Sequence, residues 1–258
     1  MTDPRLELRL DGPIARLTIR RADKLNALDA AMVDAFIPLC REIERSEARV
    51  VILTGEGKAF CAGGDFAQMT GGAADGPALP HKGDYADLLL AMTRTEKPIV
   101  ARVNGHAMGG GLGLVAASTF AVADSEAKLG TPEIDVGLFP MMIMAVLARV
   151  VPRRELLSMM LLGTKMTGAQ AAGMGLVNEA VAADQLDVAV KAITVAIGKK
   201  SPLTVSLGLR AFAAQDGVEL EKALPMLRDK LAEILGTEDA REGLMAFLEK
   251  RAAVFSGR

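Results

Sequence analysis

Two glycine-rich segments contain the backbone groups in this sequence that are best suited to chemistry. They are residues 59–66 (AFCAGGDF) and 109–113 (GGGLG). Each follows a predicted buried strand and is predicted to begin a helix. Glycine allows positive φ angles and close approach of a ligand, and the first N–H groups of a helix have no partner inside it. One such segment alone would indicate only a tight turn, but two that meet would present a pair of N–H groups to a carbonyl oxygen as it becomes negative.

One carboxylate stands in an apolar part of the sequence. Glu133 belongs to a Thr-Pro-Glu-Ile segment, residues 131–134, and the chain continues into apolar residues that include Leu138 and Phe139. Burial raises the pKa of a glutamic acid from about 4.3, because the charged form is disfavoured away from water. A carboxylic acid that titrates closer to neutrality is a better proton shuttle, so Glu133 is the candidate acid/base.

The other reactive side chains have simpler interpretations. His81 lies in a segment rich in Gly, Ala and Pro, residues 70–83, that is predicted to be a surface loop, and His106 is interpreted as a structural turn residue. Cys61 is interpreted as a small buried residue, since a nucleophile needs a partnered base and none is visible. No Cys/His spacing indicates zinc. We therefore expect no metal.

The composition predicts a packed globular protein and counts against several classes. Half of the 258 residues are hydrophobic and 24% are charged, which excludes a disordered chain. A net charge of −2, no Trp and one Tyr count against nucleic-acid binding. The longest apolar run, residues 138–148, is interrupted by Pro140 and is shorter than the about 20 residues that a membrane span needs. No signal peptide is recognisable, so we predict a cytoplasmic protein.

Strands alternate with helices in the first two thirds of the chain, and helices dominate afterwards. We find no fixed-period repeat and no linker that would separate two domains, so the predicted class is α/β with a helical C-terminal region. Asp29, Thr167 and Thr237 are predicted helix N-caps, and Glu238 and Asp239 put acids in the first turn of the last helix. The predicted strands are residues 6–10, 14–19, 50–53, 99–103 and 119–123, the predicted helices include 29–46, 84–95 and 112–117, and residues 129–136 are predicted to be extended around Pro132.

Five segments together resemble the successive signatures of the crotonase superfamily, the enoyl-CoA hydratase/isomerase type. The resemblance covers nearly the whole chain, in order, and implies a spiral of ββα turns over residues 1–200. It also implies that the helical region 201–258 packs into homotrimers or dimers of trimers. The implied substrate is an acyl-CoA thioester, and because coenzyme A is part of that substrate, no separate cofactor is expected. The segments are residues 60–65, 103–105, 109–111, 130–134, and the tail 237–239 with 247–251.

The resemblance also implies roles for individual residues. It makes the N–H groups of Gly64 and Gly110 the oxyanion-hole donors, with Glu133 as the catalytic acid/base. Simpler interpretations exist for three other implied residues: Asp65 as a helix cap, Phe247 as helix core, and Lys250 on a solvated face. The implied substrate-binding residues are Lys24, Asn26, Ala27, Ala62, Asp65, Phe66 and Gly113, with Phe247 and Lys250 reaching the nucleotide pocket of a neighbouring subunit.

Gly113 is where the chain departs from the family pattern. Family hydratases usually carry two glutamates, the first at this position and the second at the position of Glu133. Hydration needs a nucleophilic water and a proton for C2, tasks that two carboxylates divide, whereas moving a double bond needs one group that removes a proton and returns it elsewhere.

Three functions remain open at this point. The usual activity of the family makes enoyl-CoA hydration, in fatty acid metabolism, the predicted function. The proton count instead favours a 3-enoyl-CoA to 2-enoyl-CoA isomerase that uses Glu133 alone, and a non-catalytic acyl-CoA-binding relative is the third alternative. Residues 111–116 also fit a dinucleotide fingerprint, but residues 104–110 separate that segment from its strand, which counts against this interpretation.

Overall fold

The larger of two β-sheets is mostly parallel and contains six strands. The computed structural model describes residues 3–65 and 83–258. The strands are β1 (Leu6–Asp11), β2 (Ile14–Ile19), β3 (Val50–Gly55), β5 (Ile99–Val103), β7 (Phe120–Asp124) and β10 (Glu179–Val181). Their order in the sheet is β1-β2-β3-β5-β7-β10. Among the described strands of this sheet, only β1 and β2 pair antiparallel, as the predicted hairpin across the Asp-Gly turn.

A second, smaller sheet is made from short strands, three of which each follow a strand of the larger one. It contains β4 (Ala59–Cys61), β6 (His106–Met108), β8 (Lys128–Gly130) and β9 (Lys165–Thr167), in the order β4-β6-β8-β9. The chain passes from β3 to β4, from β5 to β6 and from β7 to β8, so each turn adds one strand to each sheet before a helical segment follows. The predicted α/β class with a spiral of ββα turns is confirmed.

Within residues 3–65 and 83–198, seven α-helices pack around the two sheets before the C-terminal region. Asp29 caps the first helix by accepting a hydrogen bond from the Met32 N–H, and Thr167 forms the predicted capping box with Gln170. The helices are α1 (Ala30–Arg45), α2 (Tyr85–Thr93), α3 (Gly110–Ala117), α4 (Met141–Leu147), α5 (Arg153–Leu162), α6 (Gly168–Gly173) and α7 (Leu186–Gly198).

One predicted element is wrong in a way that bears on the site. Residues 129–136 are not extended throughout, because β8 ends at Gly130 and Pro132–Val136 forms a 3₁₀ helix. Proline with its fixed φ is well suited to the first turn of a helix, so Pro132 begins this element rather than interrupting a strand. The helix of the second glycine segment also begins earlier than predicted, at Gly110 rather than Leu112.

The core lies on both faces of the larger sheet. In β3 the side chains of Val51 and Leu53 belong to the large core, whereas Val50 and Ile52 pack in a smaller cluster with residues of α7. All six residues of β3 are buried, as expected for a parallel strand that is covered on both sides. Strand β3 is therefore fixed by packing from two directions.

The C-terminal region is helical, as predicted, and exposes several large apolar side chains. Its helices are α8 (Pro202–Ala214), α9 (Leu220–Leu235) and α10 (Glu238–Leu248), and Thr237 caps the last by accepting a hydrogen bond from the Ala240 N–H. The exposed side chains include Phe212, Leu220, Leu224, Leu231, Leu244, Phe247 and Leu248. Within the part of the chain that the structure describes, no helix is both long enough and apolar enough to cross a membrane.

A buried carboxylate ties the C-terminal tail to this region. Asp239 accepts hydrogen bonds from the Ser201 hydroxyl at 2.6 Å and from the N–H groups of Ser256 and Gly257 at 2.7 and 3.1 Å. Burial opposes ionisation, but these donors outweigh it and lower the pKa of Asp239. Asp239 was predicted only as an acid in the first helical turn, and the tail contact adds a structural role.

Candidate active site

The two glycine segments meet because the strands before them are neighbours. Strand β4 pairs parallel with β6, so the residues that follow both strands emerge side by side. A methyl group added at Gly63 would lie 2.9 Å from the Met108 carbonyl oxygen and 3.2 Å from the Gly110 nitrogen, and one added at Gly111 would collide with the Cys61 carbonyl. Glycine is therefore required at these positions by close backbone approach.

The N–H groups of Gly64 and Gly110 have no partner among residues 3–65 and 83–258. Leu28 donates to the Gly63 carbonyl at 2.7 Å and accepts from the Asp65 N–H at 2.8 Å. This parallel bridge uses the groups on either side of Gly64 and leaves the N–H of Gly64 directed away from Leu28. Gly110 is the first residue of α3, where N–H groups have no intrahelical acceptor.

The carboxylate of Glu133 lies against the second glycine segment. A methyl group added at Gly109 would be 2.8 Å from Glu133 Oε1, so the carboxylate packs on the residue before Gly110. Glu133 Oε2 and the Thr131 hydroxyl are buried and have no hydrogen-bond partner within the described residues. Burial raises the pKa of Glu133. A buried, unpaired acceptor of this kind needs an explanation, and a reacting proton or a bound ligand would supply one.

Gly113 has no room for a side chain. A methyl group added there would lie 2.5 Å from both Ile143 Cγ2 and the Tyr85 hydroxyl oxygen. The Tyr85 hydroxyl donates a hydrogen bond to the Gly110 carbonyl, and burial raises the pKa of the phenol well above its ordinary value. Tyr85 was not predicted to be a site residue. The sequence did contain one signal of its importance: this single Tyr stands at the start of a predicted helix, after the first glycine segment.

The segment that contains Lys24, Asn26 and Ala27 lies beside the first glycine segment, since the Ala62 N–H donates to the Leu25 carbonyl at 3.0 Å. Lys24 is exposed and Ala27 is half-buried. The buried Asn26 side chain accepts from the backbone N–H of Arg21 and donates to the carbonyls of Glu56 and Ala59. The Asn26 side chain thus holds this turn in place.

Asp65 forms an ion pair with Arg21, which was not among the residues singled out from the sequence. The Arg21 guanidinium donates to Asp65 Oδ2 at 2.7 Å, with Arg21 only 3% exposed. Arg21 also donates to the Ala27 carbonyl at 2.9 Å, so one side chain links the two segments. Phe66, His81 and the helix that Asp65 was expected to cap lie outside the described residues. The capping role of Asp65 stays a prediction.

Phe247 and Lys250 are not brought to the other candidates by any hydrogen bond or ion pair in the described part of the chain. Phe247 lies on α10 with 80% of its surface exposed, so its interpretation as helix core is wrong for the isolated chain. Lys250 follows α10 with φ 54° and is also exposed. Phe247 and Lys250 therefore remain candidate substrate-binding residues only if this surface of the chain contacts another molecule.

The remaining reactive side chains have structural positions. His106 lies on β6, not in a turn, and its Nδ1 accepts a hydrogen bond from the Lys128 N–H at 3.0 Å. Cys61 is fully buried, and burial raises the pKa of its thiol to about 12. No group of three or more His, Cys, Asp or Glu residues that could hold a metal ion occurs in the described ranges.

The arrangement suits chemistry next to a carbonyl group. Two free N–H groups at the meeting of the glycine segments could stabilise negative charge on a carbonyl oxygen. The Glu133 carboxylate contacts Gly109, the residue before the second donor. It could remove or return a proton on the carbon next to the carbonyl group. The required polar groups converge from the end of β4, the start of α3 and the 3₁₀ helix at Pro132–Val136.

The chain is similar over nearly its whole length to known proteins. The family model of enoyl-CoA hydratase/isomerase matches residues 10–258. A probable enoyl-CoA hydratase of Bacillus subtilis is 32% identical over 98% of each chain. A mitochondrial enoyl-CoA hydratase domain-containing protein 3 of Rattus norvegicus is 30% identical over 99% of this chain and 86% of its own. The crystal structure of an enoyl-CoA hydratase from Mycobacterium smegmatis superposes with a TM-score of 0.90 at 32% identity, covering 98% of this chain and 99% of that one. From the converging glycine segments, the match along the chain and the shared fold, we conclude that this chain belongs to the enoyl-CoA hydratase/isomerase family of the crotonase superfamily.

Proposed function

We propose that the chain binds an acyl-CoA thioester and forms its enolate. The N–H groups of Gly64 and Gly110 would donate to the thioester oxygen, and Glu133 would transfer the proton. The observation that carries this proposal is the contact of Glu133 Oε1 with Gly109, which puts a carboxylate whose buried Oε2 has no partner in the described residues beside the Gly110 N–H. The coenzyme A portion would follow the backbone of residues 24–27 and 62–65, the two segments that Arg21 and the Ala62 N–H join.

The favoured reaction is conversion of a 3-enoyl-CoA to a 2-enoyl-CoA. The Glu133 carboxylate removes a proton from C2, and the electron pair passes into the thioester to give a dienolate. The same carboxyl group then returns the proton to C4 as the double bond moves between C2 and C3. This sequence needs one acid/base group. It suits a site in which Tyr85 and Ile143 fill the space beside Gly113.

Hydration of a 2-enoyl-CoA is the second candidate. It is favoured by the relatives, among them the probable hydratase of Bacillus subtilis. Glu133 alone would then have to activate the water and also deliver the proton to C2, so we expect a slower reaction than with two carboxylates.

Four other features remain predictions. One is a homotrimer or dimer of trimers, in which Phe247 and Lys250 reach a neighbour's nucleotide pocket. The others are the boundary near residue 200, the cytoplasmic location and a role in fatty acid metabolism.

The test compares the wild type with Glu133→Gln on crotonyl-CoA and on a 3-enoyl-CoA, with product identification by mass spectrometry. Because acid–base catalysis contributes about 10²- to 10⁴-fold, we expect Glu133→Gln to lose at least about 10²-fold in kcat while still binding a saturated acyl-CoA. Glu126→Gln, which changes an exposed carboxylate two residues before β8, serves as the matched control. Unchanged turnover in Glu133→Gln would contradict the mechanism. Acyl-CoA binding without turnover of either substrate by the wild type would instead favour the non-catalytic alternative.

A further inference from the structure

We infer that Tyr85 determines which reaction this site performs, by occupying with Ile143 the volume beside Gly113 that a second carboxylate and its water would need. This inference rests on the proposed enolate chemistry at Glu133. It extends that proposal by naming a residue that suppresses addition of water and thereby favours return of the proton.

The position of the phenol follows from distances along one face of α3. Added methyl groups would lie 3.5 Å from Tyr85 Cζ at Gly110 and 2.5 Å from the Tyr85 hydroxyl oxygen at Gly113. Residues three apart lie on the same side of a helix, so the Tyr85 ring covers the face of α3 that bears both glycines. The hydroxyl group lies where the first atoms of a side chain at position 113 would be.

Tyr85 cannot replace the missing carboxylate as a base. Its hydroxyl proton is donated to the Gly110 carbonyl. Burial keeps the phenol protonated, because it raises the pKa well above the ordinary value of 10.0. A neutral phenol whose proton is already committed cannot take a proton from water near neutral pH, so Glu133 is left as the acid/base group.

Two rigid elements hold this arrangement in place. Tyr85 begins α2 directly after the N-cap Asp84, which forms a capping box with Asp87. Leu88, three residues later, is fully buried. Ile143 comes from α4 and is 4% exposed. Both side chains are set on helices that pack into the core, so widening the space beside Gly113 requires a change in the packing of α2 or α4.

The experiment measures the ratio of 3-hydroxyacyl-CoA to isomerised enoyl-CoA formed from one 3-enoyl-CoA, with ¹⁸O-water to mark addition. Tyr85→Ala opens the volume beside Gly113, and we expect it to raise the ratio of hydration to isomerisation by about 10-fold or more. Tyr85→Phe removes only the hydroxyl and should raise the ratio less. Leu90→Ala changes an exposed residue of the same helix and should leave the ratio at the wild-type value.

Ile143→Ala provides an independent variant if Tyr85→Ala is poorly folded, because it removes the other group that touches position 113. It should raise the ratio in the same direction. An unchanged ratio in both variants, with both rates falling together, would mean that Tyr85 is only structural and would overturn the inference. Hydration by the wild type as fast as isomerisation would overturn it too, while the proposed enolate chemistry would stand. Absence of any wild-type turnover would overturn the proposed function and this inference together.

Discussion

Replacing Gly109 with alanine tests how closely the candidate site depends on the contact between this glycine and Glu133. Gly109 has φ 50° and ψ −122°, a backbone conformation that residues other than glycine rarely adopt. The added methyl group would also lie 2.8 Å from Glu133 Oε1, where ordinary contact begins at 3.4 Å. The substitution therefore strains the backbone and displaces the carboxylate at once.

Two magnitudes follow from these numbers. A residue held in a disfavoured φ/ψ region costs about 1–3 kcal/mol, so the free energy of unfolding should fall by about that amount. Moving Oε1 from 2.8 to 3.4 Å shifts the carboxylate by about 0.6 Å, and a misplacement of about 1 Å costs about 10²-fold in rate. We expect kcat to fall by at least about 10-fold with a smaller change in acyl-CoA binding.

The assay combines urea unfolding with turnover at a temperature where circular dichroism shows the variant folded. Gly208→Ala is the matched control, because Gly208 lies inside α8 with open space at its Cβ position. It should keep wild-type kcat and gain about 0.5–1 kcal/mol of stability, since alanine is favoured over glycine in a helix interior. Wild-type kcat in a folded Gly109→Ala protein would refute the reasoning.

Three further predictions concern pH and reactivity. The pKa of Glu133 is raised by burial, so kcat/KM should fall as pH drops through a value above 4.5. Folding stability should decrease as pH rises through the same value, and Glu133→Gln should remove that decrease in urea titrations. The pKa of Asp239 is lowered, so its stabilisation is present above pH 3.8 and is lost as pH falls through the lower folded pKa. Asp239→Asn should cost about 2 kcal/mol at pH 7 and the exposed Asp229→Asn almost nothing, and equal costs would contradict the buried contact. Burial raises the pKa of both Cys40 and Cys61 to about 12, so an aromatic disulfide reagent at pH 8 should label neither thiol until the protein is unfolded, and fast labelling of native Cys61 would contradict its placement.

The parts of the fold that local chemistry controls were predictable from the sequence. Asp29, Thr167 and Thr237 are followed by helices that they cap, because a capping side chain bonds to an N–H only two or three residues away. The two glycine segments and Glu133 were also found in advance. Glycine permits close backbone approach and a carboxyl group can transfer a proton, and both properties belong to the residue type itself.

Other features depended on residues that are distant in the sequence. Arg21 pairs with Asp65 across 44 positions, and Tyr85 reaches the Gly110 carbonyl across 25. Asp239 was recognisable as an acid at a helix start, but only the fold brings Ser201 and the C-terminal tail to it. Such partners cannot be read from spacing, because many polar residues of suitable type occur along the chain and packing decides which of them meet.

The sequence by itself determined the α/β class, the glycine backbone donors and a single carboxylate with Gly113 in place of a second one. Only the tertiary structure decided what fills the space beside Gly113. Strand pairing sets α3 next to the end of β4, and the packing of α2 and α4 then directs Tyr85 and Ile143 to the same point. The volume left at that point is a property of three helices together, which no local pattern in any one of them contains.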